Sequence, residues 1–262
     1  MEPNNTAFEL TSRLTSRGPG RGVVRTLQDV SFRVLTVGEA ISLLDARIRG
    51  RTPTKVAIAN AHTLNIVRCN AEYRQMLTRF TVFNDGIGID LASRLRYREG
   101  FPDNLNGTDF IPTYLGQSSR KLRIFMLGAQ SHVVQRAFDN VCRRFPHHEW
   151  LGFHDGFFQS IDEPALCEQI RAARVDLLLV AMGNPLQEFW MDRCAASTGA
   201  TVCVGVGALF DFLSGEVNRA PDWLRRVKLE WIYRLLQEPG RMWRRYLIGN
   251  LTFLWHAWCE RR

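Results

Sequence analysis

Six short apolar runs punctuate the chain at wide spacing: "KVAIAN" (55–60), "FTVFNDG" (80–86), "LRIFMLG" (122–128), "EWLGFHDG" (149–156), "DLLLVAMG" (176–183) and "TVCVGVG" (201–207). Several are continuously apolar rather than alternating, as strands buried on both faces of a parallel sheet are. Between them lie amphipathic stretches such as "SHVVQRAFDNVCRRF" and "EPALCEQIRAARV", with apolar residues at helical spacing. Strand and helix in repetition predict an α/β fold, a mainly parallel sheet with right-handed crossovers placing helices on both faces.

Nearly every run ends in polar or glycine punctuation: Asn60, Asn84-Asp85-Gly86, Gly128, Asp155-Gly156, Gly183-Asn184-Pro185, Gly205 and Gly207. Tight turns explain a glycine taken singly. Amide and acid side chains gathered beside those turns point further, because open α/β sheets bind ligands outside the carboxyl ends of their strands. Asp85, in "TVFNDGIGID" (81–90), poses the choice sharply. It is either the N-cap of a following helix or a working carboxylate at the mouth of a pocket.

Composition narrows the class. The chain has 262 residues, 45% hydrophobic and 23% charged, which suits one large soluble domain with or without an appendage. Its six cysteines form no CxxC pair, which argues against a zinc site or a disulfide framework and fits a reducing cytoplasm. Residues 1 to 22 are polar and lack an apolar core, so no signal peptide is expected there.

The formal charge is +8, and its location matters more than its size. From Arg219 to Arg262 ten Lys/Arg face four Asp/Glu, a net of +6. A basic terminal region on a near-neutral body implies a polyanionic partner at one place: nucleic acid, an anionic membrane surface or a diphosphate. "YLIGNLTFLWHAWC" is too short for a bilayer, which needs about 20 residues. Trp243, Trp255 and Trp258 near arginines suit an interfacial helix. The competing reading is a terminal helix packed on the core or on another subunit.

Several chemistries lack their motifs. There is no GxxxxGK[ST], no GxSxG and no HExxH, and the six histidines show no i, i+4 pair. "VGVGALFD" has a GxG after a strand, but Phe210 stands where a third glycine belongs, so a dinucleotide site and an oxidoreductase are poorly supported. No resident metal or cofactor is expected. Neither a reading helix nor an aromatic-bearing sheet face stands out, which argues against nucleic acid as partner.

Four blocks carry a family resemblance: "NAHTLN" (60–65), "NDGIGID" (84–90) with "NGTDF" (106–110), "MGNPLQEFW" (182–190), and the long run from Gly205 to Tyr246. Together they resemble the WecG/TagA/CpsF family of bacterial glycosyltransferases. The resemblance implies a Rossmann-like α/β core and metal-independent, inverting transfer from a UDP-sugar to an undecaprenyl-diphosphate-linked sugar. It also implies a helical C-terminal appendage that docks on the cytoplasmic membrane surface and completes the active site. The expected division is a flexible tail at 1–28, the α/β core at 29–217 and a basic, tryptophan-rich appendage at 218–262.

By the same resemblance Asp85 is the base that takes the acceptor hydroxyl's proton. Arg234, Arg241 and Arg244 match the appendage arginines that meet the charge of the leaving UDP, a role suited to guanidinium forks. Asn60, Gln187 and Asp211 match positions lining the nucleotide and sugar pocket. Thr108 and Asp109 either contribute there or form a helix cap. Asn104 departs from the pattern, since many members carry arginine at that place.

The expected function is thus a peripheral enzyme at the inner face of the cytoplasmic membrane, acting in exopolysaccharide assembly. UDP-glucose is the preferred donor, as in xanthan-like repeat assembly, with UDP-N-acetylmannosamine or its uronic acid as the alternative. A homo-oligomer is left open.

Overall fold

All six apolar runs become strands of one sheet in the computed structural model, which describes residues 22–217 and 249–259 together with Tyr233, Leu235, Gly240 and Trp243. The strands are β3 (Thr54–Ala59), β4 (Thr81–Asn84), β5 (Arg123–Gly128), β6 (Glu149–His154), β7 (Leu177–Ala181) and β8 (Val202–Gly205). A hairpin of β1 (Val24–Leu27) and β2 (Val30–Arg33) precedes them. The sheet order is β1-β2-β4-β3-β8-β7-β5-β6. Only the β1–β2 pair is antiparallel.

β1 lies inside the stretch 1–28 read from sequence as a tail; the sheet takes it up as an edge strand. Its turn, Gln28 and Asp29, has φ of 46° and 64° at both positions. These are the left-handed values of a two-residue hairpin, reached here without the usual glycine.

The helices divide between two apolar layers. One face carries α2 (Ala61–Cys69), α3 (Ala71–Leu77), α4 (Gly86–Tyr97), α7 (Glu163–Ala172), α8 (Leu186–Thr198) and α10 (Gly249–Cys259). The other carries α1 (Val37–Arg49), α5 (Gly107–Gln117), α6 (Ser131–Arg144) and α9 (Leu209–Ser214). Every residue of β7 and β8 is buried, which is why these strands read as unbroken apolar runs. The fold is a Rossmann-like α/β layer structure, as expected, and a C-terminal helix is present.

That helix is built into the core. Asn65 of α2 donates from Nδ2 to the Gly249 carbonyl at 2.8 Å. Phe253 is fully buried and packs beside Gly88 of α4. The opposite side of α10 keeps Leu251, Trp255 and Trp258 exposed, and Ile87 and Leu91 on α4 are exposed as well. Among the described residues no helix is long and apolar enough to cross a membrane.

Candidate active site

The carboxyl ends of β4, β3, β8 and β7 lie side by side, so the polar punctuation of four distant segments collects along one edge. α2 and α8 leave this edge on one face of the sheet, α5 and α9 on the other. The crevice between them is where this topology seats a ligand.

Asp85 follows the last residue of β4 and occupies the N-cap position of α4, yet its side chain makes no capping bond. Its backbone N–H goes to the Ala59 carbonyl at 2.9 Å, and its carboxylate accepts from Asn60 Nδ2 at 3.0 Å. The carboxylate is half-buried and turned toward the end of β3. Gly86 beside it has φ of 87°, and a Cβ there would meet nothing within 4 Å. The capping explanation for this aspartate fails in the structure, and open space adjoins it.

Asn60 is used at both ends. Its Oδ1 caps α2 by accepting from the His62 and Thr63 N–H groups at 3.1 and 3.2 Å, while its amide holds Asp85. Asn104 works from the other side: its Oδ1 accepts from Gly86 N–H at 2.9 Å. The strand end is pinned to the same loop by Asn84, which donates to the Asp103 carbonyl at 2.8 Å. Asn104 therefore shapes the turn that carries Asp85.

Thr108 and Asp109 open α5 in a cap built on Asn106. Asn106 Oδ1 accepts from Thr108 Oγ1 at 2.7 Å and from Asp109 N–H at 2.9 Å, and its amide donates to the Asp109 carboxylate at 2.9 Å. Gly107 packs against the Val206 backbone, which sets this helix start at the end of β8. Asp211 stands half-buried in the first turn of α9, on the same side.

Gln187 is 1% exposed and engaged with protein at both ends of its amide. Its Oε1 accepts from Gly183 N–H at 3.2 Å and Gly207 N–H at 3.0 Å; its Nε2 donates to Glu188 Oε1 at 2.7 Å. A Cβ at Gly205 would lie 2.7 Å from that Nε2. The first glycine of "GVG" thus makes room for the Gln187 amide, which is a packing reason for a motif that resembles half of a dinucleotide fingerprint.

The structure brings Asp85 and Asn60 into contact and sets Thr108, Asp109 and Asp211 on the opposite wall. Arg234, Arg241 and Arg244 lie outside the described residues. Sequence reasoning missed the tie from Asn104 to Gly86, and it missed Glu188; the helix cap it offered for "NGTD" is the one built on Asn106. Glu188 had a signal in the chain, a carboxylate set directly before "FW".

Comparison with known proteins gives a consistent picture. The family model described as glycosyl transferase WecG/TagA/CpsF matches residues 25–262. The N-acetylglucosaminyldiphosphoundecaprenol N-acetyl-beta-D-mannosaminyltransferase of Bacillus spizizenii is 36% identical over 180 residues, 68% of this chain and 68% of its own. The protein of the same name from Bacillus subtilis is 35% identical over 167 residues, 63% of this chain and 64% of its own.

Proposed function

Because this chain belongs to the WecG/TagA/CpsF family of glycosyl transferases, we propose that it moves a sugar from a UDP donor to a sugar carried on a polyprenyl diphosphate, with inversion at the anomeric carbon. The observation that carries this reading is Asp85: a half-buried carboxylate, unused as a cap, held by Asn60 at the carboxyl edge of the sheet.

The reaction is a single displacement. The acceptor hydroxyl oxygen forms the new bond to the anomeric carbon as the bond to the donor phosphate breaks, and that electron pair leaves with UDP. Asp85 receives the hydroxyl proton, which a carboxylate can do within hydrogen-bond reach. Asn60 fixes the angle of the carboxylate, and Asn104 fixes the backbone beneath it. Thr108, Asp109 and Asp211 face the crevice from the α5 and α9 side and contribute polar groups for donor hydroxyls. Arg234, Arg241 and Arg244 meet the charge that builds on the departing diphosphate.

Both relatives are named for transfer of N-acetylmannosamine to N-acetylglucosaminyl-diphospho-undecaprenol, and that favours N-acetylmannosamine over glucose as the sugar transferred here. The beta linkage in those names accords with inversion of an alpha-linked donor. A lipid-borne acceptor requires access to a membrane surface. The exposed Leu251, Trp255 and Trp258 side of α10, with the basic excess of residues 219–262, supports peripheral docking there.

The test offers radiolabelled UDP-sugars singly, with EDTA, to short-chain polyprenyl diphosphates bearing N-acetylglucosamine or glucose. Labelling from UDP-N-acetylmannosamine on the first acceptor is expected. Labelling from UDP-glucose alone would keep the reaction and change the sugar. Failure of every donor, together with no binding of UDP, would overturn the proposal.

A further inference from the structure

Glu188 is a fully buried carboxyl group for which the proposed displacement has no use. Its Oε1 accepts two amides, Asn184 Nδ2 and Gln187 Nε2, each at 2.7 Å. Its Oε2 is turned to the hydroxyl of Tyr73, which faces it from α3.

The chemistry of Gln187 gives this carboxyl group a task. A primary amide has a donor end and an acceptor end, and it can sit either way round. The Gly183 and Gly207 N–H groups both need an acceptor. Reversing Gln187 would set its NH2 against those two donors and its oxygen against Glu188. With Glu188 in place, a single orientation satisfies every group, and one oxygen then joins the loop after β7 to the loop after β8. Burial raises the Glu188 carboxyl to a pKa of about 7, and either protonation state leaves Oε1 an acceptor.

We infer that Glu188 is a positioning residue which, by fixing the Gln187 amide, locks the Gly183 and Gly207 loops into one wall of the donor-nucleotide site. The assignment of that wall to the donor rests on the proposed function; the lock itself does not.

The test uses the full chain carrying Glu188→Met, which removes the acceptor, and Glu188→Gln, which keeps one. Amide hydrogen exchange at Gly183 and Gly207 is read without substrate, and UDP affinity by calorimetry. In Glu188→Met both amides should exchange about tenfold faster, the scale of one lost hydrogen bond, and UDP should bind about tenfold more weakly, with kcat changed little. Glu188→Gln should restore both readings. Should Glu188→Met fail to fold, Glu188→Thr, whose hydroxyl is too short to reach Gln187, must release the same amides. Wild-type exchange in Glu188→Met, or a Glu188→Gln variant as loose as Glu188→Met, would overturn the lock. Loosened amides with unchanged UDP affinity would overturn the placement of the wall at the donor. Absence of UDP binding by the unaltered chain would strike the functional reading instead, leaving the exchange data to judge the lock.

Discussion

Asn60 and Asp85 stand 25 residues apart in the chain and meet through one 3.0 Å hydrogen bond, made by the end of the asparagine that its own helix does not need. The cap on α2 and the aim of the carboxylate are therefore two outputs of a single side chain. A carboxylate held in this way has its direction set by a helix terminus.

Replacing Asp85 with Asn keeps size and polarity while removing the proton acceptor. Turnover should fall by about 10²- to 10⁴-fold, the usual range for a general base, with the unfolding midpoint little changed. Single-turnover transfer and thermal melts check both halves. A near-native rate would remove Asp85 from the chemistry.

Asn60 permits its two roles to be separated. Asn60→Ala loses the cap and should cost about 1 kcal/mol of stability. Asn60→Ser keeps a capping oxygen but cannot reach Asp85. It should therefore melt close to the unaltered chain while turning over about tenfold more slowly, the scale of one hydrogen bond. Equal activity in Asn60→Ser and the unaltered chain would mean that the contact with Asp85 is incidental.

The buried Glu188 makes stability depend on pH. Its folded pKa of about 7 lies above the ordinary value of 4.5, because burial penalises the charged form. Below the ordinary value the group is protonated folded or unfolded, and no cost arises. As pH climbs toward 7 the unfolded chain ionises freely while the folded chain resists, so stability is progressively lost, by a total on the order of 3 kcal/mol, and levels off above. Glu188→Gln should flatten that part of the profile. Melts in a buffer series from pH 4 to 8, run on both proteins, decide it.

Trp255 and Trp258 are exposed on α10, while Phe253 and Ala257 anchor the other side. Changing both tryptophans to alanine should leave stability within about 1 kcal/mol, as surface changes do. Cosedimentation with anionic vesicles should drop severalfold while UDP affinity holds. Undiminished vesicle binding would mean that another surface meets the lipid.

β7 and β8 were legible because burial on both faces leaves an unbroken apolar run, whereas β6, partly exposed at every position on the sheet edge, was marked by its aromatic and apolar residues and the Asp155-Gly156 turn after it. The β1–β2 hairpin was not: Val24–Leu27 is four residues at the sheet edge, and its turn uses Gln28 and Asp29 where a glycine would have announced it. Asp85 could be picked out as a strand-end carboxylate, but its hold by Asn60 and the bond of Gly86 N–H to Asn104, eighteen residues on from the glycine, could not. Gln187 shows the limit from the other direction. The family resemblance placed it among residues lining the pocket, whereas in the structure its amide is buried against the Gly183, Gly207 and Glu188 groups. Such cross-chain partnerships follow from strand order, and strand order is not written in any local window.

That order has a consequence for how the molecule comes into being. β8, the last strand among the described residues, lies between β3 and β7 in the middle of the sheet. Without it the remaining strands fall into two separate half-sheets, β1-β2-β4-β3 and β7-β5-β6, each with a naked edge capable of pairing with a stranger. Insertion of β8 zips the halves together and in the same event brings the Gly207 loop to the Gln187 amide. Pulse-labelled refolding should find the β8 amides protected last, together with Gly183. Catalytic competence and closure of the sheet would then appear in one step, leaving no half-made enzyme able to act on its substrates.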